Sequence, residues 1–316
     1  MKISIALATY NGSKYLKKQL DSFVHQSRLP DELIICDDCS VDETDKIVRE
    51  FISEAPFTVL YFKNNKNLGY AKNFEQAVLY CSGDIIFFSD QDDVWYKDKI
   101  FKIEDAFLSN PDALLVMHDA DIVLHNADKT GFTLQGQTKS LGLKLERDFG
   151  LGCCMAFKQE LVAISMPLPF NYSLHDVWLN TMAIHLHKKI ILPDVLSFYR
   201  RHGLNTTAWI AGSCKKLSHF DLLYAWFSKS SYESCLRRYK DVIEIKKRLN
   251  KFNLQNKNIY SENSVNNEIR AISLRLGVFR TSRKYRFVWV VYVLLRGDCY
   301  PFFTNWKSFL KDLIRI

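Results

Sequence analysis

The chain has 316 residues, 47% of them apolar and 25% charged, which is enough for a large α/β core plus an appendage and rules out an intrinsically disordered chain. The formal charge of +8 is unevenly spread: residues 236–316 hold 18 Lys and Arg against 6 Asp and Glu, whereas residues 1–235 hold 25 against 29. The acidic front part excludes a basic nucleic-acid groove, and eight irregularly spaced cysteines exclude a disulfide scaffold and fit a reducing cytosol.

The first residues end in Ala6-Leu7-Ala8, like a signal-peptide cleavage box, but the apolar run is too short and polar Tyr10-Asn11-Gly12 follows at once. Short β-rich runs predict strands over 3–8, 32–36, 58–62, 84–89 and 113–118, with helices between them over 13–25, 43–53, 70–80 and 98–108. That βαβαβαβαβ order predicts an α/β fold, a mainly parallel sheet flanked by helices. Leu16, Leu20, Phe23 and Val24 form one apolar stripe on the first helix and are expected in the core. Cys36 and Cys39 make a CxxC, read as structural because Asp37 and Asp38 stand between them.

Residues 131–144, rich in Gly, Gln, Thr and Lys, predict a mobile loop. A compact segment over 150–157 and a helix come next, and His175-Asp176-Val177-Trp178 opens another helix. A strand-like stretch after Pro193 ends in Tyr199-Arg200-Arg201-His202-Gly203. The pattern then turns helical and basic, so the expected domains are 1–205 and 206–316. The apolar run 287–295 is too short for a bilayer crossing, which needs about 20 residues.

Open sheets of this kind bind ligands beyond the carboxyl ends of their strands, so the polar residues after each strand are the candidates. They are Thr9-Tyr10-Asn11-Gly12, then Asp37-Asp38-Cys39-Ser40, then residues 64–69, then Asp90-Gln91-Asp92-Asp93. Three carboxylates in four positions repel one another, and a hard divalent cation, Mg2+ or Mn2+, relieves that and can bridge a diphosphate. Spacing alone leaves open which carboxylate touches the ion, and an exposed acidic turn is the plain alternative. Asp90-x-Asp92-x-Val94 also resembles the nucleophile motif of dehalogenase-type phosphatases, but no Gly-Asp-x-x-x-Asp follows downstream. Arg200, Arg201 and His202 form a cationic cluster suited to a diphosphate or a metal shell, with a solvated basic turn as its plain counterpart. Asp176 can serve as a base or simply favour a helix N-terminus.

In order and spacing, these motifs resemble glycosyltransferase family 2. The set is Thr9-Tyr10-Asn11-Gly12, Asp37-Asp38-Cys39-Ser40-x-Asp42-x-Thr44, Asn67-Leu68-Gly69 with Asn73, Asp90-Gln91-Asp92-Asp93-x-Trp95, His175-Asp176-x-Trp178 and Tyr199-Arg200-Arg201-His202-Gly203-x-Asn205. It covers the first two thirds of the chain. The resemblance implies a GT-A fold and an inverting enzyme that takes a sugar from a UDP- or dTDP-linked donor. On the donor side it implies Thr9, Tyr10, Asn11, Asp37 or Asp38 and Asn67 around the nucleoside, Lys72 and Arg200 at the phosphates, and Asp90 near ribose and sugar. It implies Asp92 and His202 as metal ligands and Asp176 as general base. Cys153 beside Cys154, His175 and Trp178 fall on the acceptor side.

The Asp-Gln-Asp-Asp-x-Trp form resembles rhamnosyltransferase-like enzymes of bacterial surface polysaccharide synthesis, which points to L-rhamnose and a glycan or polyprenyl-linked acceptor. A non-catalytic nucleotide-sugar-binding partner is the competing reading. Cys39 stands where the family usually has Gly, so its turn must avoid or tolerate a positive φ. In the tail, Arg280, Arg283, Lys284 and Arg286 precede the apolar run, and Tyr292, Tyr300, Phe302, Phe303, Trp306 and Phe309 interleave with or follow it. Such a segment suits the inner leaflet, giving a cytoplasmic protein peripheral to the membrane, with a helical cap or dimer contact as the alternative.

Overall fold

The computed structural model describes residues 1–170, 172, 174–202, 212–217, 221, 231–256, 262–282, 285–288 and 291–292. The chain divides into two compact units, Met1–Leu217 and Ser218–Ile316. The boundary expected at 205/206 lies outside the described residues, as do Gly203, Asn205, Arg283, Lys284, Tyr300, Phe302, Phe303, Trp306 and Phe309.

In the first unit, β1 (Ile3–Thr9), β2 (Glu32–Asp37), β3 (Thr58–Lys63) and β4 (Ile85–Ser89) lie parallel in the order β3-β2-β1-β4. β1, β2 and β4 are near-continuous apolar runs because sheet neighbours and helices cover both faces: Ile3, Ile5, Leu7, Leu33, Ile35, Ile85 and Phe87 are all buried in one core. α1 (Leu16–Val24), α2 (Thr44–Glu54) and α3 (Tyr70–Tyr80) link these strands. α1 buries the predicted stripe, with Leu16, Leu20 and Phe23 fully inside and Val24 partly so.

After β4 come β5 (Val94–Trp95), α4 (Lys99–Ser109), β6 (Leu115–Leu124) and β7 (Lys129–Thr133). Then follow α5 (Leu134–Ser140), α6 (Leu145–Asp148), a 3-10 turn (Gly152–Cys154), β8 (Met155–Lys158), α7 (Gln159–Ser165), α8 (His175–His185) and β9 (Lys189–Arg201). β8 runs antiparallel between β4 and β6, and β9 lies parallel to β6 on its other side. Met117 faces Ile191 and Asp119 faces Val195, so β9 bulges at Pro193, whose missing N–H a regular ladder would not tolerate.

The mobile loop predicted over 131–144 is instead the end of β7 followed by α5. Thr133 caps that helix by accepting from the Gly136 N–H, and the glutamines that suggested a loop are buried donors. Gln135 Nε2 donates to Leu192 O at 2.8 Å, and Gln137 Nε2 to Lys215 O at 2.7 Å.

β1 sits between β2 and β4, so strand order reverses beside it and a crevice opens at the carboxyl ends of β1 and β4. The second unit contains α9 (Ser231–Asn256) packed on α10 (Glu262–Arg280). Val242, Ile245 and Leu249 of α9 and Val265, Ile272 and Leu276 of α10 are buried at helical spacing, and Arg238 pairs with Glu268 at 2.7 Å. Among the described residues, no helix is long and apolar enough to cross a membrane.

Candidate functional site

The two loops flanking the crevice are stitched by one side chain. Gln91 Oε1 accepts from Thr9 Oγ1 at 2.6 Å and from the Tyr10 N–H at 2.9 Å, and its Nε2 donates back to Tyr10 O at 3.1 Å. A Cβ on Gly12 would stand 2.2 Å from Gln91 Oε1, so a glycine is required there. The Asn11 N–H donates to Ser40 Oγ at 2.8 Å, and its Oδ1 accepts from the Val41 N–H at 3.0 Å. Tyr10 is half exposed over the crevice rim.

At the end of β2 both aspartates are buried and engaged. Asp37 accepts from the Ser40 N–H at 3.0 Å and the Tyr61 hydroxyl at 2.9 Å. Asp38 accepts from the Leu68 N–H at 2.7 Å, the Gly69 N–H at 2.9 Å and Asn64 Nδ2 at 3.0 Å. These carboxylates shape the walls of the pocket by fixing the chain after β3. Cys39 takes a φ of 68°, so the turn tolerates the conformation that glycine normally supplies. Asn67 is exposed at that wall, its Oδ1 accepting from the Gly69 N–H. Lys72 turns to Glu75 on its own helix at 2.8 Å, and Glu75 also accepts from the Leu168 N–H.

The acidic turn follows β4. Asp92 Oδ2 meets His202 Nε2 at 2.6 Å, and the His202 ring stacks on Tyr15 at 5.2 Å. Arg200 was expected at the donor phosphates, but it is 2% exposed and braces the turn from within. Its N–H donates to Asp93 Oδ1 at 3.1 Å, its Nε to Asp92 O at 2.8 Å and its Nη1 to His125 O at 2.9 Å. Asp93 is buried, and its Oδ2 has no hydrogen-bond partner among the described residues. Burial, then the charges of Asp92 and Asp176, pushes the Asp90 carboxyl up to about 7; burial, then Asp92 and Asp90, raises Asp93 well above the usual carboxylate range.

Asp176 lies in the first turn of α8, where its Oδ1 accepts from the Val177 N–H at 2.8 Å. Its Oδ2 accepts from the Gly152 N–H at 3.2 Å. The helix-terminal placement expected of this residue is thus observed, and its carboxylate also reaches the turn at Gly152. His175 is buried, stacked on Phe74 at 4.2 Å and edge-on to Phe88 at 4.9 Å, and burial lowers its pKa. Trp178, expected at the acceptor, lies wholly in the core, its indole N–H donating to Ser165 O at 2.9 Å; a ring of that size is worth most to packing. Cys153 is buried beside Cys154, their sulfurs 3.9 Å apart, and the hydrogen bond to Cys154 together with burial raises its thiol pKa. The described cysteines, Cys36 and Cys39 among them, are free thiols.

Sequence reasoning missed Lys99, which is wholly buried beneath the acidic turn and whose Nζ donates to Cys153 O at 2.9 Å. The signal was present, because Lys99 shares the buried face of α4 with Ile100, Ile103 and Phe107.

Two donor sets are available to a cation. Asp90, Asp93 and Cys153 bring ligand atoms within 4.8 Å of one another, with the Lys99 ammonium acting on both aspartates. Asp92 and His202 offer a carboxylate oxygen and an imidazole nitrogen facing each other, a pair that suits Mg2+ or Mn2+. The second set fits the expected ion.

Residues 4–163 match the family described as Glycosyl transferase family 2. A dTDP-rhamnosyl transferase of Shigella flexneri, RfbG, is 38% identical over 108 residues, 33% of this chain and only 37% of that enzyme's length. S. aureus TarS 1-349, solved in complex with UDP-GlcNAc, has a similar fold at TM-score 0.55 and 17% identity, over 92% of this chain and 79% of its own. The mannosyltransferase PcManGT from Pyrobaculum calidifontis, solved with GDP-Man and Mn2+, does so at TM-score 0.52 and 14% identity, over 99% of this chain and 85% of its own.

Proposed function

This chain belongs to glycosyl transferase family 2, and from that premise we propose that it moves a sugar from a nucleoside diphosphate to a hydroxyl of a surface glycan or lipid-linked acceptor, with inversion. The observation that carries the reading is the convergence of the Asp90 to Asp93 turn and Asp176 on one crevice, where the Asp176 charge acts on Asp90. Family membership also sets aside the dehalogenase-type phosphatase.

Asp176 takes the proton from the acceptor hydroxyl as that oxygen bonds to the anomeric carbon. The bond from that carbon to the diphosphate oxygen breaks on the opposite side, and the leaving diphosphate keeps the electron pair. The Gly152 N–H fixes the Asp176 carboxylate for this task. Asp92 and His202 would hold Mg2+ or Mn2+, which would neutralise charge on the diphosphate. Thr9, Tyr10, Asn11 and Asn67 border the nucleoside, while Asp37 and Asp38 keep that border in shape. That RfbG is a dTDP-rhamnosyl transferase supports a dTDP-linked rhamnose as the leading donor.

A panel of nucleotide sugars, tested for thermal stabilisation with and without Mn2+, tests this reading. One donor class is expected to raise the melting temperature only with the metal, and the same donor to support transfer. Stabilisation by no nucleotide sugar, or equal stabilisation under EDTA, would sink it. The excess of basic residues in 236–316 supports docking on anionic inner-leaflet lipid. The full chain is expected to sediment with vesicles containing phosphatidylglycerol at low salt and to release at high salt; indifference to lipid charge would remove the membrane claim.

A further inference from the structure

A buried lysine without a carboxylate against it is costly, since desolvating an ammonium takes several kcal/mol unless nearby groups compensate. Lys99 is such a residue. Its ammonium is held between the Cys153 carbonyl, at 2.9 Å, and the face of Trp95, 3.9 Å from the ring centroid. Cys153 belongs to the turn Gly152–Cys154, and the Gly152 N–H of that turn donates to Asp176 Oδ2. An unbroken chain of contacts thus runs from the ammonium through the backbone of two residues, Cys153 and Gly152, to the Asp176 carboxylate.

We propose that Lys99 is a positioning residue for the transfer: it fastens the Gly152–Cys154 turn from below, so that Gly152 holds Asp176 in place, and it brings an ammonium near Asp90 and Asp93. Its charge does act on both aspartates, opposing the burial that raises them. The neighbouring His118, buried on β6 with its Nδ1 at 2.7 Å from Asp119 O, is driven neutral by burial and then by Lys99 itself, so the positive charge of this pocket resides on the lysine. That charge also accounts for Asp90, Asp93 and Cys153 being a poor cation site despite their proximity.

The inference rests on Asp176 acting as the base, and the test separates the two. Lys99→Met keeps the volume and removes the charge. Hydrogen exchange of the full-length protein, followed by mass spectrometry, is expected to quicken by about tenfold in the peptide carrying Gly152 to Cys154 while β1 and β2 stay protected. Turnover is expected to fall about tenfold or more at an unchanged donor KM, because the base loses its alignment. Mn2+ affinity of the substrate-free protein, read by electron paramagnetic resonance, should tighten by about tenfold once a nearby like charge is gone, whereas a merely structural lysine would leave it unchanged or weaker.

Unchanged exchange in the turn, or weaker Mn2+ binding in a folded variant, would overturn the proposal. Should Lys99→Met fail to fold, Lys99→Gln carries the same expectations, since it too is uncharged. Full activity in Asp176→Asn would instead defeat the base assignment, and the exchange measurement would still decide whether Lys99 holds the turn.

Discussion

Asp176 is both the first-turn acid of α8 and the partner of the Gly152 N–H, so changing it to Asn keeps the shape and removes the basicity. Asp176→Asn is expected to lower turnover by about 10²–10⁴-fold, the usual worth of a general base, with donor affinity by calorimetry unchanged. Cys39 holds a φ of 68°, a conformation that costs a side-chain-bearing residue about 1–2 kcal/mol. Cys39→Gly is therefore expected to raise the free energy of unfolding measured in urea by roughly 1 kcal/mol, and no gain would mean the turn relaxes another way. Of the site residues, the acidic turn was legible because carboxylates crowded after a strand have little structural use, whereas the role of Asp176 came only from the family resemblance. The inward roles of Arg200 and Trp178 were not, because a motif gives order along the chain and says nothing of which way a side chain turns. Lys99 was visible as a charge on an apolar stripe, yet its meaning depends on a carbonyl 54 positions away.

The amino ends of three strands meet at Glu32, which opens β2. Its carboxylate accepts from Ser4 Oγ on β1 at 2.6 Å, and from the Ser82 N–H at 2.6 Å and Ser82 Oγ at 2.8 Å just before β4, with Lys2 at 3.0 Å. Burial opposes its charge, but these donors outweigh burial and hold the pKa at about 2. Because the folded value lies below the unfolded one of about 4.5, the resulting stability is full above pH 4.5 and fades as pH falls toward 2. That contribution is on the order of 3 kcal/mol. Glu32→Gln is expected to be less stable than the parent at pH 6 in urea, with the gap closing below pH 3; a constant gap would contradict the assignment. Among elements, β1, β2 and β4 were readable because a buried strand writes itself as an unbroken apolar run. β9 was only half readable, since Pro193 and its bulge interrupt the pattern, and α5 was misread because buried glutamines look like loop residues until their acceptors are known.

At the scale of the molecule, the family match ends at residue 163, but Asp176 on α8, which reaches Gly152, and His202 after β9, which reaches Asp92, come later in the chain, beyond the matched span. If Asp92 and His202 hold the ion, nucleoside diphosphate with Mn2+ at a hundred times its Kd should stabilise the protein by about 2.7 kcal/mol, and EDTA should abolish the gain. Calorimetric scans read this directly, and a gain that survives chelation would contradict the metal assignment. Gln91 belongs to the acidic turn and its amide bonds to Thr9 and Tyr10 of the loop after β1, so the two loops are tied together. Thermodynamic reciprocity then applies: whatever factor a settled ion adds to the grip on a nucleobase, the nucleobase returns to the ion, and the order in which the two arrive leaves the final affinity the same.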